Sequence, residues 1–262
     1  MTEWLAYGGL GAFAGLLAGL FGVGGGLVIV PVLALLFAAA GIADEVLMHL
    51  AIGTSLATIV FTSISSVWAH QRRGAVRWEV VWQLTPGIVL GAWLGAALAE
   101  RLSGDYLRYV FGLFELSVAL QMGLNLRASP HRSLPGRAGM GLAGGVIGSV
   151  SAIVGIGGGT MTVPFLQWCN VPMRQAVATS AACGLPIAVA GATGFLFSGW
   201  ENSHLPPLSS GYLYWPAFAG IVVASVLFAP LGARLAHTIP AVQLKRFFAL
   251  FLALLGMRML LG

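Results

Sequence analysis

Charge is what this chain lacks. Asp, Glu, Lys and Arg together make up 8% of its 262 residues, where a soluble domain carries about 25%. Hydrophobic residues fill 58%, and mean hydropathy is +0.91. Such a composition excludes a water-solvated surface and points to a polytopic membrane protein, with the lipid bilayer as its main partner. Cysteine is nearly absent. Cys169 and Cys183 lie in apolar stretches without metal-ligand spacing, so buried inert thiols are expected rather than a disulfide. Met1-Thr2-Glu3-Trp4 lacks a basic n-region, so no cleavable signal is expected. The formal charge of +5 comes from arginines between apolar segments. Neither a basic face nor a motif is present, which argues against nucleic acid as a partner. Enzyme signatures are missing as well: no phosphate-binding P-loop, HExxH, CxxC or Gly-x-Ser-x-Gly elbow occurs. Neither catalysis, a cofactor nor a metal is expected.

Glycine is plentiful and ordered. Gly22-Val23-Gly24-Gly25-Gly26 returns as Gly155-Ile156-Gly157-Gly158-Gly159, and each copy is followed by a Val-Pro pair, Val30-Pro31 and Val163-Pro164. Both copies interrupt long apolar stretches. A broken helix is tolerated at membrane depth only where protein or a water-lined cavity shelters the freed backbone. Two such breaks in corresponding places of two halves point to a transporter's substrate site.

Ten apolar segments can be drawn, at roughly 5–21, 27–40, 46–69, 80–100, 105–126, 138–154, 160–171, 174–198, 211–236 and 241–261. A spanning helix needs about 20 apolar residues. The first, second, sixth and seventh segments are at or below that limit, and each short pair meets at a glycine run. They read as hairpins dipping toward the midplane or as broken spans.

The halves are repeats. Aligning 12–33 with 145–166 gives eight identities in 22 columns at an offset of 133. Ala51–Ala57 matches Ala176–Ala182 at offset 125, and Gly95–Ala99 matches Gly232–Ala236 at offset 137. Lys and Arg cluster around Arg72, Arg73 and Arg77, around Arg127, Arg132 and Arg137, and around Arg234, Lys245 and Arg246. The positive-inside bias puts these loops in the cytoplasm. The loops holding Asp44 and Glu45, Glu100–Asp105, and Glu201–Ser210 then fall outside, as do both termini. Trp4, Trp200 and Trp215 fit an outer aromatic belt, and Trp78 and Trp82 an inner one. The expected fold is all-α: two inverted-topology repeats of about five segments each, the first two of each repeat short and hairpin-like. The N-terminal repeat covers 1–127, a cytoplasmic linker 128–137 and the C-terminal repeat 138–262, in one integrated transmembrane domain of the inner (plasma) membrane.

The glycine runs carry the chemistry. Helices starting after them, near Gly26 and Gly159 or as late as Pro31 and Pro164, expose orphan N–H donors and a positive dipole end. Proline pushes the valine before it toward extended geometry. Such helix starts bind anions; the same glycines also permit close helix packing. The candidate substrate-binding donors are Gly24, Gly25, Gly26, Gly157, Gly158 and Gly159. Thr160 follows the second run where the first has Leu27. Thr54, Ser55, Thr179 and Ser180 are hydroxyls at matched positions, able to meet an oxyanion or to bond back to their own helix. Glu115 is the only carboxylate well inside a segment. It is a candidate for proton coupling or a neutralised or paired structural residue, and its repeat partner is Leu252. His49, His70, Arg73 and Arg174 flank the hydroxyl-bearing helices, where they can steer an anion or simply snorkel.

These tandem GxGGG-x4-P motifs, the A-x-x-T-S blocks and the length resemble the TauE/SafE sulfite exporter family of membrane permeases. The resemblance covers nearly the whole chain. It implies transport of sulfite or a small organosulfonate such as sulfoacetate, usually outward. Glu115 lies outside the recognised pattern. The expected mechanism is alternating access around a midplane anion site, with a passive anion channel or a thiol-handling membrane enzyme as alternatives. Small-residue faces such as Gly91-x-x-x-Gly95 can pack within one chain or between two copies in a homodimer.

Overall fold

A computed structural model describes residues 2–21, 25–124, 133–235 and 241–261. Ten helices run through these residues: α1 Thr2–Phe21, α2 Gly26–Ala39, α3 Asp44–Gln71, α4 Trp78–Glu100, α5 Gly104–Gly123, α6 Arg137–Val154, α7 Gly159–Trp168, α8 Met173–Ser198, α9 Trp215–Leu235 and α10 Ala241–Leu261. They follow the ten apolar segments in order. The one addition is a two-residue antiparallel pair, β1 Ser209–Ser210 with β2 Leu213–Tyr214, just before α9. In lipid every backbone polar group needs an internal partner, which a helix supplies within itself. Five helices, α3, α4, α6, α8 and the Trp215–Gly232 part of α9, are long and apolar enough to cross a membrane. α2 and α7, of 14 and 10 residues, rise only about 21 and 15 Å at about 1.5 Å per residue. Neither crosses a hydrocarbon core of about 30 Å alone.

The prolines do not start these short helices. Pro31 and Pro164 lie inside α2 and α7, which begin at Gly26 and Gly159. Val30 and Val163 are therefore helical, not extended. Each proline is the sixth residue of its helix, so its missing N–H removes one i→i−4 bond, to the carbonyl of Leu27 or Thr160, and limits the cost to that turn. At the first break, the Gly25 carbonyl accepts from Val28 and Ile29 at 3.0 Å each. At the second, α6 closes on Gly155, in the left-handed region at φ 73°. There Gly155 N–H donates to Ala152 O and Ile156 N–H to Ser151 O, the pair of bonds that caps a helix C-terminus through a left-handed glycine.

Packing pairs the halves crosswise. α1 lies on α9, α4 on α6, α5 on α10 and α3 on α8. The contacts repeat residue by residue. A Cβ on Gly11 would strike Ile221 backbone, and one on Gly144 would strike Leu84 backbone; Gly15 meets Ser225 as Gly148 meets Ile88; Gly95 meets Ser149 as Gly232 meets Leu16. Each pair maps onto the other by the sequence offsets of 133 and 137. Gly91 backs onto Gly145 of α6, so this small-residue face packs inside the chain.

Loops expected on one side share one end of the molecule. His204 Nδ1 lies 3.9 Å from Glu45 Oε2. Gly104, at the start of α5, sits against the Asp44 carbonyl. The Glu100–Asp105 turn thus joins the acidic loops despite Arg101. Tryptophans 4, 78, 82, 200 and 215 are all exposed on the surface.

Candidate functional site

The two breaks meet. A Cβ on Gly26 would stand 2.5 Å from the Gly155 carbonyl and 2.8 Å from Ile156 Cα. Gly155 in turn faces Val30 of α2 and Ile52 of α3. Gly25, Gly26 and Gly157 to Gly159 are all buried. Gly24 lies outside the described residues.

Beside the second break a narrow cleft, with a cavity volume of only about 10 Å³, lies between α3, α8 and the segment before α7. Gly157 and Gly158 form its floor, with Ser180, Ala181 and Gly184 on the α8 side and Thr62, Ser63 and Ser66 on the α3 side. The Gly158 nitrogen lies beside it: a Cβ on Gly184 would stand 3.5 Å from that nitrogen and 3.2 Å from Ser63 Oγ. Ser66 Oγ is buried without a hydrogen-bond partner, as are Thr160 Oγ1, Thr162 Oγ1 and Ser151 Oγ around the same break. Thr62 donates to Thr58 O at 3.0 Å and Ser180 to Val177 O at 2.8 Å, so each offers its single proton to a ligand only by giving up a bond within its own helix. No Lys or Arg is among the lining residues. The arrangement brings hydroxyls and the backbone amides of Gly157 and Gly158 together without a full positive charge, a setting that can take a weakly held anion.

The matched hydroxyl pairs divide. Thr54 Oγ1 accepts from Tyr214 N–H and Thr179 Oγ1 from Arg77 N–H, each at 3.0 Å. These bonds are equivalent: 54 maps to 179 at offset 125, and 77 to 214 at offset 137. Each threonine holds the backbone just before α9 or α4, so neither lines the cavity. Ser55 donates to Gly155 O at 2.9 Å and clasps the second break. Of the serine and threonine pairs singled out by sequence, only Ser180 reaches the cavity. Thr62, Ser63 and Ser66 escaped sequence reasoning because they have no hydroxyl counterpart in α8. Their spacing on one helical face was the available signal.

Glu115 is fully buried on α5, and neither carboxylate oxygen has a hydrogen-bond partner. It is not part of the cavity lining. His49 Nε2 donates to Ala99 O at 3.0 Å, and its ring stacks on Tyr212 at 5.0 Å between centroids. That is a packing role. Burial, and then the Glu3 carboxylate, push the Tyr214 phenol above its ordinary pKa. Cys169 and Cys183 are buried and are not joined in a disulfide.

Residues 7–259 match the family described as "Sulfite exporter TauE/SafE". A "Probable membrane transporter protein" of Haemophilus influenzae is 38% identical over 253 residues, covering 96% of each chain. A probable membrane transporter of Methanocaldococcus jannaschii is 28% identical over 262 residues, covering 96% of this chain and 93% of its own. The Bacillus subtilis protein YunE, also a probable membrane transporter, is 30% identical over 213 residues, covering 74% and 78%. No solved structure matches.

Proposed function

We propose that this chain, which belongs to the TauE/SafE sulfite exporter family of multi-pass membrane transporters, carries a small oxyanion, sulfite or a small organosulfonate, by alternating access. The moving parts are two repeats of inverted topology, 1–127 and 138–262. Their crosswise glycine contacts, equivalent under exchange of the halves, support that reading. The termini and the acidic loops face outside, and the arginine loops face the cytoplasm.

The observation that carries the function is the meeting of the two helix breaks next to a hydroxyl-lined cavity. Gly26 abuts Gly155, and Gly157 and Gly158 open onto Thr62, Ser63, Ser66 and Ser180. The first turn of α7 has N–H groups without intrahelical acceptors, and its dipole adds partial positive charge at the same place. Those groups favour an anion without trapping it. An inside-negative membrane potential contributes about 2.3 kcal/mol per charge per 100 mV toward expulsion, so export of an anion needs no coupling ion.

Purified protein in liposomes loaded with radiolabelled sulfite tests this. Saturable flux with counterflow supports a carrier. Conductance that rises without saturation replaces the carrier with a channel. Absence of flux for sulfite, sulfoacetate and sulfate alike ends the anion reading.

A further inference from the structure

We propose that the anion site is one-sided. The substrate is held at the second break by backbone N–H groups of Gly157 and Gly158 and by the hydroxyls of Thr62, Ser63, Ser66 and Ser180, and the first break, around Gly25 and Gly26, is a substrate-free pivot. The inference rests on the anion-transport reading above and narrows it.

A duplicated fold should present two equivalent cavities. Carrying the lining of the observed one through the repeat offset of 125 places Thr62 on Ile187, Ser63 on Ala188, Ser66 on Gly191, Ala181 on Leu56 and Gly184 on Ile59. The α3 and α8 walls of the equivalent space are thus apolar except Ser55, whose hydroxyl is tied across to Gly155 O of the other half, whereas Thr62 and Ser180 bond only within their own helices. Among the described residues that space is also crowded. Leu56 Cδ1 would lie 2.9 Å from a Cβ on Gly191, and Ile59 Cδ1 3.1 Å from one on Gly26. On the second side the corresponding positions are Ala181 and Gly184, which leave the room that Leu56 and Ile59 occupy on the first.

The break segments show the same polarity. Ser151, Thr160 and Thr162 correspond, at offset 133, to Ala18, Leu27 and Ile29. The reverse case is Thr58, matched to Cys183, and its hydroxyl donates to Ser55 O at 2.7 Å. Hydroxyls buried without partners are costly. Ser66 is 7% exposed and Thr162 fully buried, yet Ser66 Oγ and Thr162 Oγ1 have no partner. Thr162 Oγ1 lies 3.1 Å from where a Cβ on Gly158 would stand. A ligand with several acceptor oxygens and no need of a fixed cation satisfies this cluster. The same face of α3 continues from Ser66 to His70, leading from the break toward the arginines at the helix end.

The test uses the full-length protein and sulfite as probe, read both as uptake into liposomes and as sulfite-dependent thermal stabilisation in detergent. Thr62→Val with Ser66→Ala removes two hydroxyls at nearly constant volume. Its expected result is a KM raised at least tenfold and loss of the sulfite-dependent stabilisation, with the sulfite-free melting temperature kept. Ile187→Val with Leu56→Val, at the matched apolar positions, is expected to leave KM within twofold. Should the double polar variant misfold, Ser66→Ala alone and Gly184→Ala, which pushes a methyl into the cavity, are each expected to raise KM. Equal KM changes from both sides, or wild-type KM in the polar variants, overturn the one-sided site and leave transport standing. A wild-type protein that neither moves sulfite nor is stabilised by any of the oxyanions refutes the transport reading itself.

Discussion

Gly25 and Gly158 occupy matched places in the two breaks, 133 residues apart, and their backbones differ. Gly25 holds φ 82° and ψ −11°, in the left-handed region, where it faces Ala14. Gly158 holds φ −62° and ψ −15°, a conformation any residue accepts, and faces Ser180, Thr162 and Gly184. The first glycine is needed for the path of the chain. The second is needed for the room beside it. Duplication therefore fixed where the helices are interrupted, and the neighbours on α3 and α8 decide what each interruption does. Leu56 and Ile59 close one side, and Ala181 and Gly184 leave the other open.

That contrast is most sharply tested by placing one methyl on each glycine. Gly158→Ala is expected to lower sulfite flux per folded molecule at least tenfold, since its Cβ would stand 3.0 Å from Ser180 O and 3.1 Å from Thr162 Oγ1. Gly25→Ala is expected to cost stability instead, about 1–2 kcal/mol for an L-residue held in the left-handed region, with flux per folded molecule within twofold. Liposome flux normalised to protein inserted, alongside thermal unfolding in detergent, separates the two. The comparison breaks if Gly25→Ala hits flux and Gly158→Ala hits stability.

Where the first contrast concerns difference, the threonine bonds concern sameness. Thr54 and Thr179 each hold a backbone N–H from the opposite half at 3.0 Å. Removing the acceptor strands that N–H, and a typical bond of this kind contributes about 1 kcal/mol net. Thr54→Val and Thr179→Val are therefore expected to destabilise equally, by about 1 kcal/mol each, with Thr→Ser at either place retaining most of it. Matched losses in thermal unfolding support mechanical equivalence of the halves. A loss at one position only would mean that one of the two loops is held by something else.

Much of this was readable beforehand because the signals were strong and local. Ten apolar segments gave ten helices, and the GxGGG runs marked both breaks. The offsets of 133, 125 and 137 that align the sequence also align the contacts Gly11 to Ile221 and Gly144 to Leu84. What stayed hidden depended on partners far along the chain. Thr54 and Tyr214 are 160 residues apart, and Thr179 and Arg77 are 102 apart, so no spacing rule links them. The start of α2 and α7 at glycine rather than proline was open for a similar reason: Gly25 supplies an acceptor for the first turn only once it turns left-handed. The cavity hydroxyls escaped by a different route. Repeats draw attention to residues that recur, and Thr62, Ser63 and Ser66 do not. The polar lining of the candidate cavity lies where the two halves differ in sequence.

Glu115 is one more divergence, and it carries the smallest expected effect. It is fully buried on α5, its match on α10 is the equally buried Leu252, and both of its oxygens are unpartnered. A leucine fits the equivalent position, so packing alone does not call for a carboxyl. An ionisable group kept inside a membrane helix is a functional candidate, and here it sits apart from the cavity, on a helix that packs against both α3 and α10. Glu115→Gln preserves shape and removes the titration. Without a pH gradient, sulfite flux in the variant is expected to stay within twofold of wild type, with unfolding temperature unchanged. Under an imposed gradient, wild-type flux is expected to change and the variant's to remain flat. If the variant keeps the full gradient response, Glu115 is a packing group and the divergence between the halves ends at the cavity wall.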